Sequence, residues 1–134
     1  MTEILIAPSI LASNFLKLGD EIKAVEDAGA DIIHLDIMDG HFVPNITFGP
    51  DLVKCIHKAT KLPIDCHLML EEPEKYINAF SDAGADMISI HAETADIKTL
   101  CTKIKRMGKK AGIAINPPHP IKKIEKFLEF ADLF

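Results

Sequence analysis

The chain has 134 residues, 48% hydrophobic and 26% charged, with a formal net charge of −5. That is enough for one domain with a real core. The acidic balance, with no basic run longer than Lys109-Lys110 or Lys122-Lys123, excludes nucleic acid as main partner. No apolar stretch approaches bilayer-spanning length, which excludes a membrane helix. Cys55, Cys66 and Cys101 form no C-x-x-C pair and read as reduced thiols of a cytoplasmic protein.

In chain order, strand and helix signals alternate. Ile4-Leu5-Ile6-Ala7, stopped by Pro8, predicts a first strand. Ser13 or Asn14 caps a helix whose Leu18, Ile22 and Val25 share one face. Gly29 sits where a helix-terminating glycine belongs. Ile32 to Ile37 is an apolar run of strand length, and alternation places His34, Asp36 and Met38 on one side of it. Asp39 to Gly49 is a long connection, the kind that is more often functional. Pro50 opens a helix carrying Leu52, Val53 and Ile56.

Leu62 to Leu70 predicts the next strand, with Asp65, His67 and Met69 on one face. Glu72-Pro73-Glu74 starts a helix with an acidic first turn. Met87 to His91 and Gly112 to Asn116 are two further strands, separated by a helix with Ile97, Leu100, Cys101, Ile104 and Met107 as its stripe. Ile121, Ile124, Phe127 and Leu128 predict a fifth helix. Ala131-Asp132-Leu133-Phe134 reads as the start of a sixth strand.

Asp27-Ala28-Gly29-Ala30-Asp31 recurs as Asp82-Ala83-Gly84-Ala85-Asp86, each time at a helix-to-strand join, and Phe130-Ala131-Asp132-Leu133 echoes it. The same joint made twice implies stacked βα units and a parallel sheet. The expected fold is α/β: a single domain, residues 1–134, forming the N-terminal portion of a (β/α)₈ TIM barrel of about five βα units. Ser9, His34, Asp36, His67, His91 and Asn116 all fall at or just past strand C-termini, the end that carries barrel active sites. His34, Asp36 and His67, on neighbouring strands, form a donor set suited to a borderline divalent metal such as zinc. His57 reads as solvent-facing, His119 as a loop residue and His41 as ordering the long loop. Asp31 and Asp86, at strand N-termini, read as structural. The spare imidazole nitrogens of His34 and His67 need acceptors, for which Asp39 and Asp65 are candidates.

The run from His34 to Asn45, HLDIMDGHFVPN, resembles the second-strand signature of ribulose-phosphate 3-epimerases, a family of ribulose-phosphate-binding barrels. Ala7-Pro8-Ser9-Ile10-Leu11-Ala12 and Asp65-Cys66-His67-Leu68-Met69 resemble that family's first-strand and third-strand motifs. The resemblance implies inversion at C3 of D-ribulose 5-phosphate to give D-xylulose 5-phosphate, an isomerase step of the pentose phosphate pathway. It makes His34, Asp36 and His67 metal ligands, with Zn²⁺ foremost and Fe²⁺, Mn²⁺ or Co²⁺ as alternatives. Asp36 would also be one of two acid/base residues. Ser9 and His67 would contact the ketose phosphate, and Met38 and Met69 would pack against its reactive carbons. The family's chain continues for several strands past this point. The second catalytic aspartate, a third methionine and the phosphate-gripping loops are therefore expected beyond Phe134.

The chemistry accounts for these residue types. The C3 hydrogen of a 2-ketose is acidic because the adjacent carbonyl accepts the charge as an enediolate, which a divalent cation stabilises. A carboxylate on one face removes the proton and a second on the other returns one. A hexulose-phosphate 3-epimerase is the near variant, and a non-catalytic partial barrel the alternative outside enzymology. An orotidylate-type decarboxylase requires D-x-K-x-x-D, which the chain lacks. Open sheet edges predict a homo-oligomer or other self-association.

Overall fold

The computed structural model describes residues 4–134. Helices and strands alternate as α1 (Leu18–Asp27), β1 (Ile33–Met38), α2 (Pro50–Ala59), β2 (Ile64–Met69), α3 (Ile77–Ala83), β3 (Met87–His91), α4 (Ile97–Arg106) and β4 (Lys110–Ala114). The four strands form one parallel sheet in the order β1-β2-β3-β4. The architecture is α/β, a partial TIM barrel.

The two faces of the sheet are chemically different. Ile33, Leu35 and Ile37 from β1, Ile64, Cys66 and Leu68 from β2, Ile88 and Ile90 from β3 and Ile113 from β4 are all buried. They share one core with Ile22, Val53, Ile56, Ile77, Phe80, Leu100 and Ile104 of the helices. At roughly 1.5–3 kcal/mol for each fully buried large apolar side chain, this layer holds the sheet together. The opposite face carries His34, Asp36, Asp65, His67, Ser89 and His91, so the strands are not apolar on both sides. That frees the inner face for chemistry.

The repeated Gly-Ala-Asp joint has a physical explanation. Gly29 and Gly84 take positive φ values of 93° and 111°, which a side chain resists, and end their helices. The aspartate two residues later grips the neighbouring strand at both backbone groups of one residue. Asp86 N–H donates to the Ile64 carbonyl at 2.8 Å, while its carboxylate accepts the Ile64 N–H at 2.9 Å. Asp31 does the same to Ile6 at 2.9 and 2.7 Å, and Asp132 to Ala111 at 2.7 and 2.9 Å. Ile64 is fully buried. Asp86→Ala is therefore expected to destabilise the fold by about 1–3 kcal/mol by orphaning that N–H. Asp86→Asn, which keeps an acceptor, should lose less. Urea midpoints of the two variants check this.

Four predicted elements differ. Ile4–Ala7 is not a regular strand. It lies alongside β1 through a single bridge from Ser9 to His34 and bonds at Ile6 and Pro8. Pro8 has no N–H to continue a ladder, and Ile4, Leu5 and Ile6 are exposed. The expected fifth helix is instead two 3₁₀ segments, Ile121–Lys123 and Glu125–Phe130. Ile124, Phe127 and Phe130 recur every third residue, which suits three residues per turn better than 3.6. The strand expected at Gly112–Asn116 runs two residues earlier, and Leu133 bridges to Gly112 where a further strand was expected to start.

Candidate metal centre

The register explains why distant residues meet. Parallel pairing of β1 with β2 sets His34 opposite Asp65, Asp36 opposite His67 and Met38 opposite Met69. With side chains alternating, His34, Asp36 and His67 emerge together on the inner face, each with one donor atom within 4.8 Å of the others. His34 Nε2 and His67 Nδ1 both lie 3.4 Å from Asp36 Oδ1. That is too long for good hydrogen bonds, yet three donors point at one small region. Ser9 brings its hydroxyl from the N-terminal segment and donates to Asp36 Oδ2 at 2.5 Å. Thr47, from the long loop, donates to the Asp36 carbonyl at 2.6 Å.

Two imidazoles and a carboxylate are a donor set that fits a borderline divalent cation. Burial works to raise the Asp36 carboxyl, but the Ser9 hydroxyl and the flanking His34 and His67 outweigh it. Asp36 is thus held below the usual carboxylate range and ionised. Burial and the neighbouring imidazoles hold His67 below its ordinary value. No cysteine belongs to this cluster; burial pushes the Cys66 thiol far up and the Cys101 thiol to about 11, so neither is a thiolate.

Of the candidate acceptors, Asp65 holds His34, its Oδ2 lying 2.8 Å from Nδ1. Ser89 donates in turn to Asp65 Oδ1, at a long 3.5 Å. The Asp39 carboxylate reaches neither His34 nor His67. It accepts the backbone N–H groups of His41, Phe42 and Glu71, tying the loop after β1 to the end of β2. The partner of His67 is His91, with the two Nε2 atoms 2.8 Å apart. His91 is buried, at 4% exposure. Its partnership with His67 is not legible in the sequence, because one parallel strand's stagger decides it. His57 is exposed, as expected, and His119 lies on the loop with Nε2 3.5 Å from Glu93. Met38 and Met69 are half-buried and paired in register. A cavity of about 670 Å³ lies instead at the strand N-termini among Asp31, Lys61, Pro63, Asp86 and Lys110 and contains none of the donors.

The Asp65 bond, working against burial, raises His34 above its ordinary 6.5. Metal binding needs a neutral imidazole. Protons would therefore compete with a cation for His34 as pH falls through that raised value, and zinc affinity is expected to decline there. Asp65→Asn removes the raising charge, so the decline should begin at lower pH, while affinity at pH 8 falls about 10–100-fold. Zinc titrations against a chelating dye across pH 5–8 check both, and an unmoved midpoint would contradict the assignment.

The family model described as "Ribulose-phosphate 3 epimerase family" matches residues 5–134. A ribulose-phosphate 3-epimerase of Bacillus subtilis is 52% identical over 97% of this chain and 60% of its own length. One from Synechocystis is 52% identical over 97% of this chain and 58% of its own length. The chain thus spans about three-fifths of these relatives. Among solved structures, a phosphonopyruvate hydrolase superposes with a TM-score of 0.57 at 15% identity, covering 98% of this chain and 53% of that one, a likeness of fold alone. With its family model matched along almost the entire chain and half its residues shared with curated members, this chain belongs to the ribulose-phosphate 3-epimerase family.

Proposed function

We propose that residues 1–134 are a single domain, the N-terminal portion of a cytoplasmic metal-dependent (β/α)₈ epimerase acting at C3 of D-ribulose 5-phosphate. The observation that carries this reading is the convergence of His34, Asp36 and His67 on one point of the inner face, beside Ser9. His34 and His67 would hold the cation together with Asp36, zinc foremost. A divalent cation there supplies Lewis-acid stabilisation for the charge that develops as C3 loses its proton.

The residues of this chain do the rest. Asp36 takes the C3 proton on one face, its carboxylate fixed by the Ser9 hydroxyl so that it does not swing away. The negative charge passes into the C2 carbonyl as an enediolate. Ser9 and His67 contact the ketose phosphate. Met38 and Met69 pack against the reacting carbons, excluding water with soft, adaptable surface. Among the described residues Asp36 is the one carboxylate in the donor cluster, so this chain alone exchanges the proton on one face and inverts C3 slowly.

X-ray absorption on the zinc-loaded chain tests the site. The expected scatterers are nitrogen and oxygen at about 2.0–2.2 Å, whereas sulfur at about 2.3 Å would mean the cysteines bind instead. The exposed apolar side chains of Ile4, Leu5 and Ile6 offer a surface for association with another chain. Self-association is expected, and light scattering that returns a monomer at micromolar concentration would exclude it.

A further inference from the structure

We propose that His91 and Glu93 are positioning residues that set the tautomer of His67, so that its Nδ1 faces the metal position without a hydrogen. This deepens the metal-site reading and rests on it for its consequence, though not for its geometry. The His67 and His91 rings lie nearly parallel, 16° apart, with centroids separated by 4.9 Å. An Nε2···Nε2 distance of 2.8 Å is shorter than the spacing of stacked rings, so the two imidazoles meet head-on. Such a contact must contain one hydrogen. Two would collide, and none would set lone pair against lone pair.

Glu93 decides which ring owns it. Its Oε2 lies 3.3 Å from His91 Nδ1, and an ionised carboxylate only accepts. His91 therefore carries its hydrogen on Nδ1 and presents a bare Nε2. His67 must then donate from Nε2, which leaves its own Nδ1 bare; Asp36 Oδ1, 3.4 Å from that nitrogen, is too distant for the good hydrogen bond that would claim the hydrogen instead. Glu93 is itself held in place, because its Oε1 accepts the Asn116 N–H at 2.7 Å. Phe42 of the long loop lies against the His91 ring, with centroids 4.7 Å apart, and limits its tilt. The two metal-facing histidines are thus oriented by different means. Asp65 holds His34 directly, whereas a neutral imidazole stands between His67 and its carboxylate.

Long-range ¹H–¹⁵N correlation of the imidazoles in the metal-free, wild-type chain tests this without any metal. The expected result is His67 protonated at Nε2 and bare at Nδ1, with His91 protonated at Nδ1. A hydrogen on His67 Nδ1 would overturn the proposal. In His91→Phe, His67 should become a tautomer mixture and zinc affinity should fall about 10–100-fold. His91→Gln, whose side-chain carbonyl can accept from Nε2–H, should recover most of that loss. A folded His91→Phe chain with unchanged His67 shifts and zinc affinity would overturn it as well. If the wild-type chain binds no zinc, the metal reading fails while the metal-free spectra still decide the tautomer. If His91→Phe does not fold, the wild-type spectra decide alone.

Discussion

Asp36→Asn is expected to lower zinc affinity by more than about 100-fold while leaving the helical circular dichroism unchanged, since losing a ligand costs more than the 10–100-fold of an outer partner. The side chain contributes the only negative charge in the donor cluster. It is also the common neighbour of both imidazole nitrogens, at 3.4 Å each, and of the Ser9 hydroxyl. An amide keeps the shape but not the charge, and whichever group meets Ser9, the other meets the imidazoles. The fold should survive, because Asp36 points away from the apolar layer between sheet and helices. Cobalt titration followed by its visible spectrum reads the affinity. A folded Asp36→Asn chain within tenfold of wild type would remove Asp36 from the ligand set.

Gly112→Val is expected to destabilise the chain by about 1–3 kcal/mol and to weaken the metal site at a distance. Gly112 lies in register with Ser89, and a Cβ built there would stand 2.0 Å from Ser89 Oγ and 2.8 Å from Ser89 Cβ. Rotating the hydroxyl relieves the first contact but not the second, so backbone or strand spacing must shift. Ser89 is the residue that donates to Asp65, which orients His34. Any movement of Ser89 is thus passed along two hydrogen bonds to a metal-facing imidazole. Ser89→Gly combined with Gly112→Val should regain much of the stability by clearing the space. Urea denaturation and zinc titration on the same samples separate the packing loss from the loss at the site, and additive effects in the double variant would contradict the coupling.

The inner-face chemistry was readable because period-two alternation is a rule of strand geometry. His34 and Asp36, two apart in an apolar run, had to share a side, and so did Asp65 and His67. The repeated joint implied that neighbouring strands are parallel, which aligns Asp36 with His67 once the register is near zero. What escaped depends on paths rather than periods. Asp39 is close to the candidate ligands in sequence, yet the loop turns its carboxylate onto backbone N–H groups. His91 is placed at a strand end by the sequence, but its role depends on which nitrogen of His67 it meets. The apolar residues from Ile121 to Phe130 recur at threes, which suits three residues per turn better than 3.6, while Leu128 beside Phe127 extends them into an α-helical stripe. Ile4–Ala7 carries a strand's composition without its ladder, since Pro8 interrupts the donors on the side facing β1.

Proton exchange at C3 of ribulose 5-phosphate tests most directly whether Asp36 moves the proton beside a bound cation. The zinc-loaded chain is incubated with substrate in D₂O, and C3 is followed by NMR. Deuterium is expected to enter C3 with retained configuration, faster than xylulose 5-phosphate accumulates, and to stay out in Asp36→Asn. Inversion as fast as exchange, or exchange that survives Asp36→Asn, would contradict this, because a residue outside the His34–Asp36–His67 cluster would then be moving the proton.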